Sequence, residues 1–390
     1  MKERWNIGDD DVVCISSPNH LDYPVICWAT QQLGAIVATV NPSLTSPELG
    51  TTGNPKAVAI SHYNVIYNVT QIATFHRVNE QYTSWGELRF RPGDTCGGVL
   101  PFYHIYGLVV NNIVRYKITH LLIVPPQAML LCKHPAVKSY DLSHVRFCMV
   151  AAAPLSAELT QDLLTIWPDI HLGQGYGMTE TCAAVSMKCG TLGSGGQLVS
   201  GTEAKIIKAD GTLAKRGEPG EIWVKGDQVV LGYFNDEDAT RATFVDGWVR
   251  TGDEALFAEN GDLFVVDRIK EIMKVKGFQV SPSELEGQLL THPDVSDVGV
   301  IGILDDYSGE LPVAFVALTA VSVKRITGNQ QAADTLKAEL MKHVSDAKSR
   351  YKWLKAVHFV DAIPRNPSGK ILRRVLRQQA QYVEREKVKL

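Results

Sequence analysis

The stretch Gly50-Thr51-Thr52-Gly53-Asn54-Pro55-Lys56 gives the first strong indication of how this chain folds. Glycines let a backbone approach an anion closely, and consecutive N–H groups in such a turn form an anion-binding nest. The two threonines add hydroxyl donors, and Lys56 adds a compact positive charge. Such a stretch can wrap a polyphosphate. Taken alone, however, the seven residues favour an ordinary Gly/Pro surface turn, and the phosphate loop needs supporting residues elsewhere in the chain.

The residues that follow this loop exclude a P-loop NTPase. That signature requires Gly-x4-Gly-Lys-Ser/Thr leading from a strand directly into a helix. Here Pro55 precedes the lysine, and the chain continues as the apolar, strand-like run Ala57–Ile60. Ser61 is then a suitable N-cap for a helix over His62–Thr74. The loop thus leads into a strand.

Length and charge limit the possible classes of function. The 390 residues suffice for two or three domains, and 39 basic residues nearly balance 42 acidic ones, which does not favour nucleic acid as a partner. No apolar run is long enough to span a bilayer. The seven cysteines include no Cys-x-x-Cys pair, which is typical of reduced thiols. We expect a cytoplasmic protein, with the peroxisome as an alternative because Val388-Lys389-Leu390 weakly resembles a Ser-Lys-Leu address.

The order of apolar runs predicts an α/β fold. Strand-like and helical stretches alternate in the N-terminal part, as in a mostly parallel sheet covered by helices. From about Gly201 to Asp267, short runs separated by Gly-containing turns predict hairpins in a small β-barrel-like subdomain. We predict strands at Val12–Ser16, Ala35–Val40, Thr95–Leu100, Ile118–Val124 and Val145–Val150, and helices at Tyr23–Leu33, His62–Thr74 and Ala157–Ile166.

The pattern of apolar runs and turns changes again after Asp267-Arg268. Ser281-Pro282-Ser283-Glu284 is a capping-box sequence that begins a helix reaching about Leu290. Strands at Val295–Ile303, Val313–Thr319 and Ala356–Val360 and a helix near Ala332–Ser345 complete a compact α+β module. We therefore predict a large N-terminal domain over residues 1–267 and a mobile C-terminal domain over residues 268–390.

The segment Gln174-Gly175-Tyr176-Gly177-Met178-Thr179-Glu180 combines several groups that bind nucleotides. The Tyr176 ring can stack on a planar base, and the Thr179 hydroxyl can reach a phosphate. Glu180 offers carboxylate oxygens, which Mg²⁺ prefers as ligands. A turn explains the glycines but not the whole set.

Four other segments carry candidate functional residues, each with a plainer alternative. His104 in Pro101–Gly107 follows a strand, where open α/β sheets bind ligands, although such a histidine is more often buried in a core. Asp253 ends Trp248–Asp253 and suits two ribose hydroxyls, or simply a β-turn. The lysine-rich segment Asp267–Gln279 is a predicted hinge or a half-exposed strand. Lys370, at the tip of a proline-stiffened loop, can reach a site across a domain interface or remain solvated.

Together, and in their order along the chain, these clusters resemble the adenylate-forming (AMP-binding) superfamily, most nearly the fungal and plant 4-coumarate–CoA ligase-like acyl-CoA ligases. The resemblance extends from Asp11 to about Leu376. It implies an ATP-dependent acid–CoA ligase that forms an acyl-adenylate and pyrophosphate, and then a CoA thioester and AMP. The implied cofactors are ATP, Mg²⁺ and coenzyme A, and the implied substrate is an aryl (cinnamate-like) or medium-chain carboxylic acid.

The resemblance also implies a role for each site residue. Lys370, His104, Lys274 and Gln279 are the implied catalytic residues, Glu180 the metal ligand and Lys270 the hinge. The implied β/γ-phosphate loop comprises Thr51, Thr52, Gly53 and Lys56, and the implied adenine and α-phosphate site comprises Ala152, Ala153, Gln174, Gly175, Tyr176 and Thr179. The implied ribose contacts are Asp253 and Arg268. The implied CoA contacts are Lys276 and Gly277. The acyl pocket is lined by His104, Tyr106, Ala151, Gly173, Gly175 and Val185.

The chain also departs from the family pattern. Glu48 and Leu49 stand where the family loop has small hydroxyl residues. The resemblance also jumps at Leu49/Gly50: about a hundred residues that the family has at this point are absent, which is far more than a change of loop length. A second jump falls near Val114/Arg115, and a smaller one near Met187–Gly190. Two interpretations stay open: an acyl-CoA ligase, or a truncated and catalytically inactive homologue.

Overall fold

The computed structural model of the protein describes residues 7–9, 11–16, 23–40, 58–78, 90–91, 93–98, 113–133, 137, 139–151, 155, 157–189, 192–365 and 370–387. The chain divides into two compact units, Met1–Pro55 and Lys56–Leu390. The expected boundary between residues 267 and 268 stays a prediction. In the described part of the chain, every helix is too short or too polar to cross a membrane.

The first unit contains one strand–helix–strand motif. Strands β1 (Val12–Ser16) and β2 (Ile36–Val40) pair in parallel, and helix α1 (Tyr23–Gln32) connects them. Parallel strands require such a crossover connection. The predicted segments are confirmed here to within one residue.

A six-stranded sheet in the second unit places the N-terminal part of the candidate site. Its strand order is β4-β5-β6-β7-β8-β9, with β4 to β7 parallel and the last two strands antiparallel. All four residues of β6 are buried, as expected for a central parallel strand. The strands are β4 (Cys96–Gly98), β5 (His120–Ile123), β6 (Phe147–Val150), β7 (His171–Tyr176), β8 (Ser186–Cys189) and β9 (Gln197–Leu198).

Two helices share the apolar core of this sheet. Residues of α3 (Pro125–Lys133) and α4 (Ala157–Ile166) pack with β5 and β6, and Leu121, Val150 and Leu163 are fully or almost fully buried there. Because β6 and β7 are parallel, their carboxyl ends lie at the same edge of the sheet. Open α/β sheets bind ligands at such an edge.

The segment after residue 201 forms the predicted antiparallel hairpins. The strand order is β10-β11-β14-β13, and β15 pairs with the other end of β14. Asp246 and Gly247, both with positive φ, make the two-residue turn between β13 and β14, as in a type I′ hairpin. The strands are β10 (Glu203–Ile207), β11 (Gly220–Lys225), β13 (Phe244–Val245), β14 (Trp248–Phe257) and β15 (Leu263–Arg268).

The predicted C-terminal α+β module is confirmed. Its sheet has the order β17-β16-β19-β18, with β20 parallel to β19, and its core includes Leu285, Val298, Val316 and Leu340. The strands are β16 (Met273–Val275), β17 (Phe278–Val280), β18 (Val295–Asp305), β19 (Gly309–Leu318) and β20 (Ala356–Phe359); the helices are α6 (Pro282–Leu290), α7 (Ala320–Ile326), α8 (Gln330–Ala347) and α9 (Arg373–Lys387).

Only half of the predicted capping box forms at the start of α6. The Ser281 hydroxyl accepts a hydrogen bond from the Glu284 backbone N–H, as expected. The Glu284 carboxylate instead accepts hydrogen bonds from Lys352 Nζ, at 2.6 and 2.8 Å. A lysine brought close by the tertiary fold therefore engages this carboxylate.

Helix α2 (His62–Phe75) buries polar side chains and exposes apolar ones. Ser61 and Asn64 form a capping box at its start, which confirms the predicted N-cap. Asn68 Nδ2 donates to the Ala184 carbonyl at 3.0 Å, and Gln71 Nε2 donates to the Ser200 carbonyl at 2.6 Å. Val69, by contrast, is 60% exposed. Hydrogen bonds to loop carbonyls therefore attach this helix to the rest of the unit.

We expect Asn68→Ala to lower the free energy of unfolding by about 1–3 kcal/mol, because it leaves half-buried backbone groups of Ala184 without their Asn68 partner. Val69→Ala is the matched control on the next residue, and we expect a change within about 0.5 kcal/mol because Val69 is exposed. Urea unfolding followed by circular dichroism measures both. A larger loss for the Val69 variant would show that the apolar face of α2 is covered in solution.

Candidate active site

A buried carboxylate connects three of the residues implied to bind nucleotide. Asp253 in β14 lies directly opposite Arg268 in β15, and Arg268 Nε donates to Asp253 Oδ1 at 2.7 Å. The Tyr176 hydroxyl, at the end of β7, donates to Asp253 Oδ2 at 2.8 Å. Each carboxylate oxygen keeps a further lone pair, so Asp253 can still accept hydrogen bonds from ligand hydroxyls.

Burial dominates the titration of this carboxylate and its phenol partner. Desolvation raises the pKa of Asp253, which is only 5% exposed, while the positive charge of Arg268 and the Tyr176 hydrogen bond oppose this rise. Desolvation also raises the pKa of Tyr176 well above its usual value. The phenol therefore stays protonated at neutral pH and remains a donor.

Lys370 faces the same group of residues from the C-terminal part of the chain. Desolvation, followed by the nearby charge of Arg268, lowers the pKa of Lys370, whereas Asp253 and Glu180 raise it. Lys370 as a whole residue is nevertheless exposed to solvent. The fold thus brings a cation from a distant loop next to the carboxylates of β14 and of the Gln174–Glu180 segment.

Ion pairs hold described residues on both sides of Lys370. They are Arg365–Asp297 at 2.7 Å, Arg373–Glu286 at 2.8 Å and Arg377–Glu271 at 2.6 Å. Both partners of the middle pair are 11% exposed, and Glu286 Oε1 also accepts the Val300 N–H at 2.8 Å. The sequence analysis attributed the stiffness of this loop to its prolines and missed these arginines, whose only signal was a basic helix after Lys370.

Glu180 lies in a 3₁₀ helix, Thr179–Thr181, and Thr179 at its start is exposed. The Tyr233 hydroxyl donates to Glu180 Oε1 at 2.7 Å, and Oε2 accepts no hydrogen bond from the described residues. Burial and then this hydrogen bond raise the pKa of Tyr233 to about 12. A carboxylate with one oxygen fixed and the other available suits a hard cation such as Mg²⁺.

Several residues implied to contact ligand have other roles in the structure. The Gln174 side chain donates to the Leu155 carbonyl at 3.2 Å and accepts the Leu155 N–H at 2.9 Å, so it fastens the chain that follows β6. Val185 is fully buried in the apolar core of the antiparallel sheet, with Ile222 and Leu263. The contacts described for both side chains are therefore with the protein itself, whereas Gln174 was implied for the adenine and α-phosphate site and Val185 for the acyl pocket.

The remaining residues implied for the N-terminal part of the site lie along β6 and β7. Gly173 is buried in the middle of β7, and Ala151 is half-buried directly after β6. A Cβ added at Gly175 would lie 3.6 Å from Met149 Sδ, an ordinary contact. Packing in this structure therefore does not demand a glycine at residue 175.

The segment from Lys270 to Gln279 forms a turn followed by the β16–β17 hairpin. Lys274 pairs with Gln279 across the hairpin, and Lys276-Gly277 is its turn. Burial lowers the pKa of Lys270. The Gln279 amide opposes the rise in the pKa of Glu254, the neighbour of Asp253 in β14, that burial causes. The turn of the hairpin is exposed.

Other predicted positions lie outside the described residues. They are Thr51, Thr52, Gly53, Lys56, His104, Tyr106, Ala152 and Ala153, and the Leu49/Gly50 junction. The sequence analysis did not identify Tyr233 and Glu254 as site residues. No local motif marks either one, because their partners are far along the chain or on another strand.

Comparison with known families assigns the chain to one of them. A family model described as "AMP-binding enzyme" matches residues 50–112 and 108–234, and "AMP-binding enzyme C-terminal domain" matches residues 284–370. The chain belongs to the AMP-binding enzyme family. 4-Coumarate–CoA ligase 1 of Solanum tuberosum is 38% identical over 362 residues, which are 84% of this chain and 63% of that relative. 4-Coumarate–CoA ligase 2 of Oryza sativa subsp. japonica is 37% identical over 420 residues, 96% of this chain and 70% of that relative.

Solved structures of two family members share the fold. An anthranilate CoA ligase, AuaEII, in complex with anthranoyl-AMP superposes with a TM-score of 0.79 at 21% identity, covering 96% of this chain and 88% of that chain. o-Succinylbenzoate CoA synthetase from Bacillus subtilis, in complex with its acyl-adenylate intermediate, superposes with a TM-score of 0.76 at 23% identity, covering 95% of this chain and 89% of that chain. At this identity the likeness concerns the fold alone, and it confirms the predicted α/β class.

We expect Arg373→Met to lower the free energy of unfolding by about 3–5 kcal/mol, because it leaves the buried Glu286 carboxylate unpaired. Adding Glu286→Gln should recover most of the loss, since the amide is uncharged and still accepts the Val300 N–H. Arg377→Met is the control, with an effect of about 0–1 kcal/mol because Arg377 is 39% exposed. Urea unfolding measures all three, and equal losses for the two single arginine variants would contradict this account.

We also expect Lys370 to titrate below the ordinary lysine value of about 10.4. Asp253→Asn should lower the pKa of Lys370 further, because it removes a nearby negative charge; Arg268→Met should raise it, because it removes a positive one. NMR of the reductively ¹³C-methylated protein measures the titration, and Lys370→Gln assigns the signal. Shifts of the same sign in both variants would show that the two charges do not act on Lys370.

Proposed function

We propose that this protein is an ATP-dependent acid–CoA ligase. The observation that carries the proposal is the meeting of Tyr176, Asp253 and Arg268 with Lys370, which comes from the other end of the second unit. Membership of the AMP-binding enzyme family supports it, as do the names of the relatives, which are CoA ligases. Because these relatives are 4-coumarate–CoA ligases, a cinnamate-like acid is the favoured substrate, with a medium-chain acid as the alternative.

The proposed reaction has two steps. A carboxylate oxygen of the acid attacks the α-phosphorus of ATP, the bond from that phosphorus to the bridging oxygen breaks, and pyrophosphate leaves. The thiolate of CoA then attacks the carbonyl carbon of the acyl-adenylate, and AMP leaves with the electron pair of the broken C–O bond. Both steps depend on charge stabilisation and positioning, without a covalent protein nucleophile.

Each described side chain has a role that its contacts support. The Asp253 carboxylate accepts hydrogen bonds from the two ribose hydroxyls, and Arg268 and Tyr176 keep the carboxylate in place. The Lys370 ammonium stabilises the negative charge that gathers on the α-phosphate and the attacking carboxylate. Glu180 would hold Mg²⁺, which neutralises charge on the leaving pyrophosphate when it is bound. Lys276, on an exposed hairpin turn, suits a phosphate of CoA.

The division of labour along the chain suggests a change of domain orientation. Lys370 serves the first step, and the Lys276-Gly277 turn on the β16–β17 hairpin serves the second. We propose that the C-terminal domain turns about Lys270 between the steps, so that each group reaches the same acyl centre in turn. The proposed location is the cytoplasm, because seven scattered cysteines, an odd and unpatterned count, are typical of reduced thiols.

A second candidate is a truncated, catalytically inactive homologue. The chain spans 63% of the length of the Solanum tuberosum relative, and the AMP-binding match begins at residue 50 and continues in two segments that overlap at residues 108–112. These positions lie close to two of the jumps in the family resemblance, Leu49/Gly50 and Val114/Arg115. A loss of sheet strands there would expose core residues and abolish turnover.

ATP–pyrophosphate exchange with a panel of cinnamate-like and medium-chain acids tests the proposal. We expect exchange with at least one acid, and a reduction of about 10²–10³-fold in Lys370→Ala, because that variant removes a charge that stabilises the transition state. Lys342→Ala, on a lysine of α8 that is 73% exposed, is the control and should change exchange less than twofold. Absence of exchange with every acid, while ATP still binds, would favour the inactive homologue.

A further inference from the structure

A two-stranded ladder pairs the strand after the predicted phosphate loop with the segment that contacts Glu180. Strand β12 (Gly232–Tyr233) pairs antiparallel with β3 (Val58–Ala59), and the Leu231 N–H donates to the Ala59 carbonyl at 3.0 Å. In the sequence, β3 begins two residues after Lys56, the last residue of the predicted phosphate loop. The position of β12 therefore fixes the strand into which that loop leads.

The same segment holds the proposed metal ligand through both its backbone and its side chain. The Val230 N–H donates to the Glu180 carbonyl at 3.1 Å, and the Tyr233 hydroxyl donates to Glu180 Oε1 at 2.7 Å. Glu180 and Tyr233 are 53 residues apart in the chain. Residues 230–233 thus touch β3 on one side and Glu180 on the other.

The Tyr233 side chain is itself held in place. Its backbone N–H donates to Thr240 Oγ1 at 2.9 Å, and its ring meets the Phe244 ring edge-on at 5.7 Å. Gly232 has φ 141°, and a Cβ at that position would lie 2.8 Å from the Thr240 methyl carbon. The close packing of helix α5 (Glu237–Thr243) on β12 therefore fixes the direction of the phenol.

The hydrogen bond from Tyr233 also gives the two oxygens of the Glu180 carboxylate different roles. The Tyr233 hydrogen bond engages Oε1 and leaves Oε2 for a cation.

We propose that Tyr233 is a positioning residue that orients Glu180 for Mg²⁺ and joins this metal ligand to the strand that follows the triphosphate loop. The inference rests on the proposed function. Groups that hydrogen-bond a metal-ligating side chain change metal affinity by about 10–100-fold when they are removed. The hydroxyl of Tyr233 therefore matters for the metal-bound nucleotide more than for the nucleotide alone.

Calorimetric titration of the full chain with ATP, once with excess Mg²⁺ and once with EDTA, tests this. We expect Tyr233→Phe to weaken MgATP binding about 10–100-fold and to change binding of metal-free ATP less than about threefold. Tyr63→Phe is the matched control, since it removes another phenol–carboxylate hydrogen bond, Tyr63 OH to Asp227 Oδ2 at 3.0 Å, outside the site. This control should bind both forms of ATP as the wild type does.

A second variant separates positioning from simple loss of structure. Glu180→Gln should weaken MgATP binding, and adding Tyr233→Phe to it should cost little more, because the phenol acts through the carboxylate. Electron paramagnetic resonance of Mn²⁺ bound with ATP should also show a changed spectrum in Tyr233→Phe, a readout that needs no turnover.

Equal weakening of MgATP and metal-free ATP in Tyr233→Phe would overturn the inference, and so would unchanged MgATP affinity. Either result leaves the proposed function standing as long as the wild type exchanges pyrophosphate. Failure of the wild-type protein to bind MgATP would overturn the proposed function and this inference with it.

Discussion

The carboxylate of Asp253 lies almost entirely out of water, and the cost of burying its charge organises the residues around it. An ionised carboxylate is stable at such a position only if donors and a positive charge compensate for the lost solvation. Arg268, directly opposite on β15, provides the charge, and Tyr176 at the end of β7 provides a second hydrogen bond. This one group therefore connects the six-stranded sheet to the antiparallel sheet at the candidate site.

The cost of removing a charge from water also applies to Lys370. An ammonium ion loses solvation when it approaches this cluster, as the lowered pKa of Lys370 indicates, and nearby carboxylates offset part of that cost. The segment that presents it depends in turn on the ion pairs of Arg365, Arg373 and Arg377 with three other carboxylates. Charged groups that are distant in sequence thus determine where the proposed stabilising cation lies. A hydrophobic core alone has no directional contacts of this kind.

Most of the fold could be predicted from the sequence because local signals and burial agreed. Helix α4 and strand β1 have the predicted bounds, and the other predicted elements that the structure describes agree within a few residues, since their apolar periodicity matches the faces that they bury. Helix α2 shows where such patterns stop being informative. Its position is predicted by its cap, but its buried face consists of Asn64, Asn68 and Gln71, which bond to carbonyls of distant loops.

The residues of the candidate site also fall into those that the sequence predicted and those that only the structure revealed. The sequence by itself determined the kinds of group that nucleotide chemistry needs and their order: a glycine-rich lysine loop, Tyr176 with Glu180, Asp253 with Arg268, and Lys370. Only the tertiary structure decided that Gln174 fastens backbone, that Val185 belongs to a core, and that Tyr233 and Arg373 hold other residues in position. The reason is physical: motif chemistry is local and can be read along the chain, whereas a hydrogen bond or ion pair between side chains dozens of residues apart exists only once folding has brought them together.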